Sequence, residues 1–251
     1  MRLRHSFVLA LAVAAAAITP LSSFGQSALP RFGAGVKAST LGIGVEGAAA
    51  VTGRSNVRFG VNQFNYSETL GAHGINYDAK LKLSSLQLNY DQYLVRGFHI
   101  SPGLLFNNGN KADATALVPG GDSFTLGGAR YYSSLSNPIS GLANVRVKKT
   151  APMVLMGFGN LLPRSGRHFG FNFEGGVVFQ GSPETTLSLT GAACAASPTS
   201  GCANASVDPI IQSNMRLEQN RINDELRPLK YFPVVSLGIS WQFRGPAVNK
   251  R

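Results

Sequence analysis

The sequence is poor in charge. Only 14% of its 251 residues are Asp, Glu, Lys or Arg, where soluble domains carry about 25%. Acids are scarcer than bases, 12 against 23, which leaves a formal net charge of +11. There are two cysteines and one tryptophan. No histidine and no second cysteine pair lies near Cys194 and Cys202, so the zinc spacings are excluded. Beyond the N-terminus no apolar run approaches the ~20 residues of a membrane-spanning helix, which excludes a helical membrane bundle. A hydrophobic content of 44% excludes a disordered tail protein. No repeat of solenoid period recurs. What is abundant is glycine (29) and phenylalanine (15), with 7 tyrosines. That is the composition of a Gly-rich, aromatic-rich all-β chain.

Residues 1–25 read as a secretory signal. Arg2 and Arg4 form the charged start, Phe7 to Ile18 an apolar run too short to span a bilayer, and Ser23 and Gly25 a small-x-small site before Gln26. Removing the segment lowers the net charge from +11 to +9, since it holds two arginines and no acid. Export into an oxidising compartment predicts that Cys194 and Cys202 pair with each other, as a staple of one short Gly/Ala/Ser/Pro loop.

The mature chain is a series of segments in which apolar and polar residues alternate, the period of a strand with one apolar face. They lie at 40–46, 56–62, 75–90, 98–106, 145–148, 169–179, 185–189 and 235–243. In the third the apolar phase slips after Leu83, and a bulge near Ser84 is expected. Turns are expected at 52–56, from Asp91 to Gly97, and at 163–166. Residues 107–140 and 191–230 stand out as long inserts.

A soluble sandwich also alternates, with its polar face toward water. Here the polar faces are rich in Gly, Ser and Asn. Their charges are of both signs: Glu46, Asp78 and Glu174 beside Arg58, Lys80, Lys82, Arg146 and Lys148. That suits the interior of a membrane barrel, where small polar residues and paired charges face the lumen and the outside is apolar with aromatic rims. Strand edges cannot stay open in a bilayer, so the sheet must close. The expected fold is therefore all-β: a closed antiparallel transmembrane barrel of about eight strands. Ten become possible if residues 123–132 add a hairpin.

The last segment, Val235-x-Leu237-x-Ile239-x-Trp241-x-Phe243, resembles the C-terminal strand that the barrel-insertion machinery reads in bacterial outer-membrane proteins. It departs from that pattern in ending eight residues before the C-terminus, in a basic tail at 244–251. Four further stretches carry a wider likeness: Thr40-Leu41-Gly42-Ile43-Gly44-Val45-Glu46, Gly74-Ile75-Asn76-Tyr77-Asp78-Ala79-Lys80-Leu81, Val178-Phe179-Gln180-Gly181-Ser182-Pro183 and Tyr231-Phe232-Pro233. On these the chain resembles small bacterial outer-membrane proteins of the W and A types, eight-stranded barrels. The resemblance implies a Gram-negative outer membrane and no defined activity.

Residues 208–227 break the β pattern. Asp208-Pro209 is an N-cap and first-turn pair, Ile211, Met215, Ile222 and Leu226 follow helical spacing, and Pro228 stops the helix. Such a helix plugs the lumen, lies on the membrane interface, caps a rim, or packs as part of its loop. The domain plan is thus a signal at 1–25, a barrel at 26–243 with a helical insert at 208–227, and the tail. Counting eight strands puts the helical insert outside the cell and residues 107–140 inside.

Little in the sequence is chemical. His99 and Ser101 share one strand face, loosely similar to outer-membrane lipid A deacylases, but the flanking Phe98 and Ile100 turn them to the lumen as polar filling. His73 sits alone in a Gly-flanked loop. Neither Gly42-Ile43-Gly44 nor Gly157-Phe158-Gly159 opens a helix, so neither is a phosphate loop. No catalytic residue, metal site or cofactor is assigned, and nucleic acid is not an expected partner, because the bases alternate into a lumen. The expected partners are outer-membrane lipid, lipopolysaccharide and the insertion machinery. The expected role is structural, or passive passage of small solutes through a narrow polar lumen. The alternative is a surface interaction protein using residues 191–227. A lipid A-modifying enzyme ranks last.

Overall fold

The computed structural model describes residues 31–72, 75–95, 97–163 and 168–243. The signal at 1–25, His73, residues 164–166 of the third turn and the tail at 244–251 lie outside the described residues.

Five antiparallel strands follow one another: β1 (Phe32–Ser39), β2 (Gly42–Thr52), β3 (Ser55–Ala72), β4 (Ile75–Val95) and β5 (Phe98–Phe106). The chain then leaves for β6 (Lys111–Val118), β7 (Ser123–Leu126), β8 (Ala129–Ser133) and β9 (Ile139–Arg146). It returns as β10 (Ala151–Gly159) and β11 (Phe169–Phe179). A second excursion forms β12 (Glu184–Thr190), β13 (Ala192–Ser197), β14 (Ser200–Asn204), helix α1 (Pro209–Leu226) and a short 3-10 turn (Arg227–Lys230). The last strand is β15 (Tyr231–Phe243).

Strand β10 pairs with both β5 and β11, and β15 pairs with both β11 and β1. The pairings therefore run β1-β2-β3-β4-β5-β10-β11-β15 and back to β1, a closed ring of eight strands. Fifteen strands form among the described residues, more than the expected eight or ten. The other seven build an extension: β6, β9 and β12 continue the sheet from the far half of β4, and β7, β8, β13 and β14 make a separate four-stranded sheet.

Two ring strands differ from expectation. The segments at 145–148 and 185–189 fall on or beside β9 and β12, in the extension, and β1 and β10 take their places in the ring. This changes the topology. Both excursions leave from the end that carries the β1–β2 turn, opposite Phe32 and Phe243, which pair with each other. Residues 107–140 and the helix thus share one end, and do not lie on opposite sides.

The bulge expected near Ser84 does not form; the one register shift of β4 lies at its end, between Tyr93 and Val95 against β5. The register of β4 with β3 is continuous from Ser55↔Gln92 to Ala72↔Ile75. What changes near Ser84 is the other neighbour: residues 86–95 pair with β5 in the ring, and residues 76–82 with β6 in the extension. The slip of hydrophobic phase marks that exit. The turn expected from Asp91 is also later than predicted, since β4 runs on to Val95 with Asp91 and Tyr93 facing inward.

Helix α1 begins as its sequence dictates. The Asp208 Oδ1 accepts from the amides of Ile210 and Ile211 at 3.0 Å each, and Pro209 needs no partner. The helix packs within the extension, where Ile211 and Met215 join Val118, Leu126, Tyr131 and Ile139 in one apolar core. The backbone amides of Thr185 and Leu187 on the outer edge of β12 donate to Asn223 and Gln219 of the helix, at 2.9 and 3.2 Å. An otherwise unpaired sheet edge is thereby covered.

Candidate functional site: the charged interior of the ring

An eight-stranded ring leaves an interior only wide enough for side chains. Inward glycines make room for the long ones. A Cβ at Gly157 would lie 2.8 Å from Glu174 Cγ, and one at Gly60 would lie 3.0 Å from Gln87 Cγ. This is part of why the chain is rich in glycine.

Arg58, on β3, is the centre of the interior and is 1% exposed. Its Nη1 donates to Glu174 Oε2 at 2.9 Å and Glu46 Oε2 at 3.3 Å, and its Nη2 donates to Asp91 Oδ1 at 3.0 Å and to Glu174 Oε1. Lys37 Nζ, from β1, lies 3.3 Å from Glu46 Oε2. Ser101 donates to Asp91 at 2.7 Å, and Ser236 to Glu174 at 3.3 Å. His99 sets Nε2 3.0 Å from Glu174 Oε1 and Nδ1 3.3 Å from the Gly97 carbonyl. Both partners are acceptors. Arg58, Lys37 and the His99 ring thus surround the carboxylates of Glu46, Asp91 and Glu174. In a low-dielectric interior such pairing matters, because an unpaired buried charge costs several kcal/mol.

Apolar layers close the interior on both sides of this cluster. Toward the extension lie Leu41, Leu105, Met153, Leu155, Val178 and Val234, all buried. Toward the chain ends, Leu161 and Leu162 of the β10–β11 connection pack on Ala48.

Of the eight charged residues read as lumen-lining, the ring brings together Glu46, Arg58 and Glu174. The other five are elsewhere, and this corrects the expectation. Asp78, Lys80 and Lys82 lie on the far half of β4, Arg146 ends β9 and Lys148 follows it; all five are exposed in the extension. They alternate with apolar residues because the extension has its own apolar core. Sequence reasoning missed Lys37 and Asp91. Lys37 is the lone charge in a Gly/Ala strand, and Asp91 was placed in a turn although it ends an inward polar series, Gln87-x-Asn89-x-Asp91. His99 and Ser101 do face inward, but each engages a different carboxylate. Cys194 and Cys202 form a disulfide across the β13–β14 hairpin. Val235, Leu237, Ile239, Trp241 and Phe243 occupy the exposed face of β15.

The chain superposes on a crystal structure of Acinetobacter baumannii CarO2 with a TM-score of 0.54, at 20% identity, covering 86% of this chain and 100% of that one. A crystal structure of A. baumannii CarO gives 0.52 at 18% identity, covering 84% and 97%. The chain has the CarO fold. No family model matches the sequence, and no curated protein does. The likeness to W- and A-type proteins is thus carried only as far as the antiparallel all-β architecture, which the chain shares with these two CarO structures.

Proposed function

We propose that the protein is an integral outer-membrane β-barrel, sealed as it stands, that holds the extension at the outer surface of a Gram-negative-type cell. One observation carries this reading: the ring is inside out. Its interior is charged and polar, while Val36, Val45, Phe171, Leu237 and Ile239 stand about half or more exposed on its outside. Water does not favour that surface, and lipid does.

Dimensions support the reading. Phe169 packs edge-on against Trp241 at one level of the wall, and Phe179 against Tyr231 at another. The two levels are ten residues apart on β11. At ~3.3 Å per residue that is about 33 Å along the strand. At the usual barrel tilt it becomes about 25 Å, the height of a barrel's apolar band with its two aromatic girdles. None of the described helices is long and apolar enough to cross.

Other features fit the same placement. The alternating β15 with Phe243 suits recognition by the insertion machinery, and residues 1–25 suit export. Exposed Lys80, Lys82, Arg146 and Lys148 lie at the end opposite the termini, where lipopolysaccharide phosphates are met. The filled interior favours an anchor that presents a surface module over a standing solute path, and a non-enzymatic role. Two measurements test this. Outer membranes should contain the protein as a band whose gel mobility changes on boiling, and purified protein in planar bilayers should be electrically silent. A soluble periplasmic protein without that shift overturns the membrane reading, and a steady open conductance overturns the seal.

A further inference from the structure

We propose that the extension contains a binding site for a small, neutral, apolar molecule of one- or two-ring aromatic size. Between helix α1, the β7–β8 hairpin and the sheet of β6, β9 and β12 lies a cleft of about 210 Å³. Tyr77, Phe124, Leu187 and Leu189 line its sheet and hairpin side, and Met215 and Ile222 its helix side.

The cleft is held open. Its floor is made of small residues, Ala116, Gly141 and Ala143. Its roof stands on polar struts: Asn223 and Gln219 reach the β12 amides, and Asn214 donates to the Tyr131 hydroxyl at 2.7 Å. These bonds fix the helix along the sheet edge, so the apolar walls do not collapse on each other.

Size and charge define the ligand. Drug-sized pockets run to about 300–1,000 Å³, while an apolar cavity of about 150 Å³ admits benzene. The cleft lies between them. Its one charged wall residue is Glu218, and both carboxylate oxygens are engaged: Oε1 by Arg221 at 2.7 Å, Oε2 by the Gly127 amide at 3.3 Å. A charged ligand would find no free counter-charge among apolar walls, which is unfavourable. A neutral one loses nothing there.

The test uses full-length protein in nanodiscs, with methyl-labelled methionine and indole as the probe. The Met215 methyl resonance should shift saturably with indole. That of Met153, buried in the ring, should not move, and that of Met156, on the outer wall, should only drift linearly with indole in the lipid. Ala116→Leu and Ile222→Phe fill the cleft from opposite sides, and each should weaken binding at least tenfold while the heat-dependent gel shift persists. Tryptamine, indole with a cationic arm, should bind at least tenfold more weakly than indole. Absence of a saturable Met215 shift overturns the proposal, as does unchanged affinity in both filled variants. Tighter binding of tryptamine, lost in Glu218→Gln, overturns the neutral ligand class.

Discussion

The ring and the extension share strand β4, which obeys opposite rules in the two. In the ring, Ser85, Gln87, Asn89 and Asp91 of β4 point in and Leu88 points out. Further along the same strand, Tyr77 turns to the apolar cleft and packs on the extension core, while Asp78, Lys80 and Lys82 are exposed. The backbone is continuous and its register with β3 does not shift. Only the surroundings change. A strand's hydrophobic phase reports which face meets the less polar medium, and here that medium moves from outside the sheet to inside it. In the proposed membrane placement the ring is held by lipid outside and ion pairs inside, the extension by a conventional apolar core, a disulfide and a capped helix.

Perturbing the ring should have the largest effects. Arg58→Met leaves Glu46, Asp91 and Glu174 without their shared cation, and breaking a buried ion pair from one side costs about 3–5 kcal/mol. The expected outcome is loss of the heat-shifted band, or a much lower temperature for its disappearance. Leu237→Arg, at mid-height on the outer wall, should cost about 2–4 kcal/mol if that wall faces lipid. Urea unfolding from lipid vesicles measures it. Lys82→Ala, on the same sheet but in the extension, should leave the urea midpoint almost unmoved. Equal effects of Leu237→Arg and Lys82→Ala would erase the contrast between the two regions.

The sequence makes the contrast only partly legible. Strands β2, β3, β5, β11 and β15 are readable because each sets an apolar outer face against a polar inner one. Strand β10 is not: its inward Met153 and Leu155 join the apolar layer, so Ala151–Gly159 is apolar on both faces and loses its period. Strand β1 is hidden by Gly and Ala, whose small side chains give a weak alternation. The segments at 145–148 and 185–189 alternate clearly, yet the face they bury belongs to the extension. Local pattern tells that a strand has two unlike faces and does not tell which core it faces. The charged cluster has the same limit. Glu46, Arg58 and Glu174 are recognisable as inward charges, but Glu174 meets Arg58 across 116 positions only because the ring closes. Helix α1, whose cap and stop are local, was the most readable element of the extension.

In the extension the effects should be smaller and should stay there. The Cys194–Cys202 bridge closes a separation of eight residues, so replacing both with Ser removes about 2–3 kcal/mol of local constraint. Limited proteolysis should then cut within the β13–β14 hairpin while the heat-shifted band survives. If the band is lost as well, the two regions fold as one unit.

The mildest perturbation is the most discriminating. Asp208→Ala removes the acceptor for two helix-start amides and should cost about 1 kcal/mol. Helix α1 is joined to the ring through the 3-10 turn that leads into β15, and its side chains cover the β12 edge directly. Hydrogen exchange should therefore quicken at residues 209–226 and at the amides of Thr185 and Leu187, which the helix shields. It should not change in β11 or β15. Faster exchange confined to the first turn of the helix would mean that Asn223 and Gln219 hold the β12 edge independently of the cap. Faster exchange reaching β15 would mean that the helix start helps to hold the ring shut, and the separation between the ring and a core-held extension would fail at that joint.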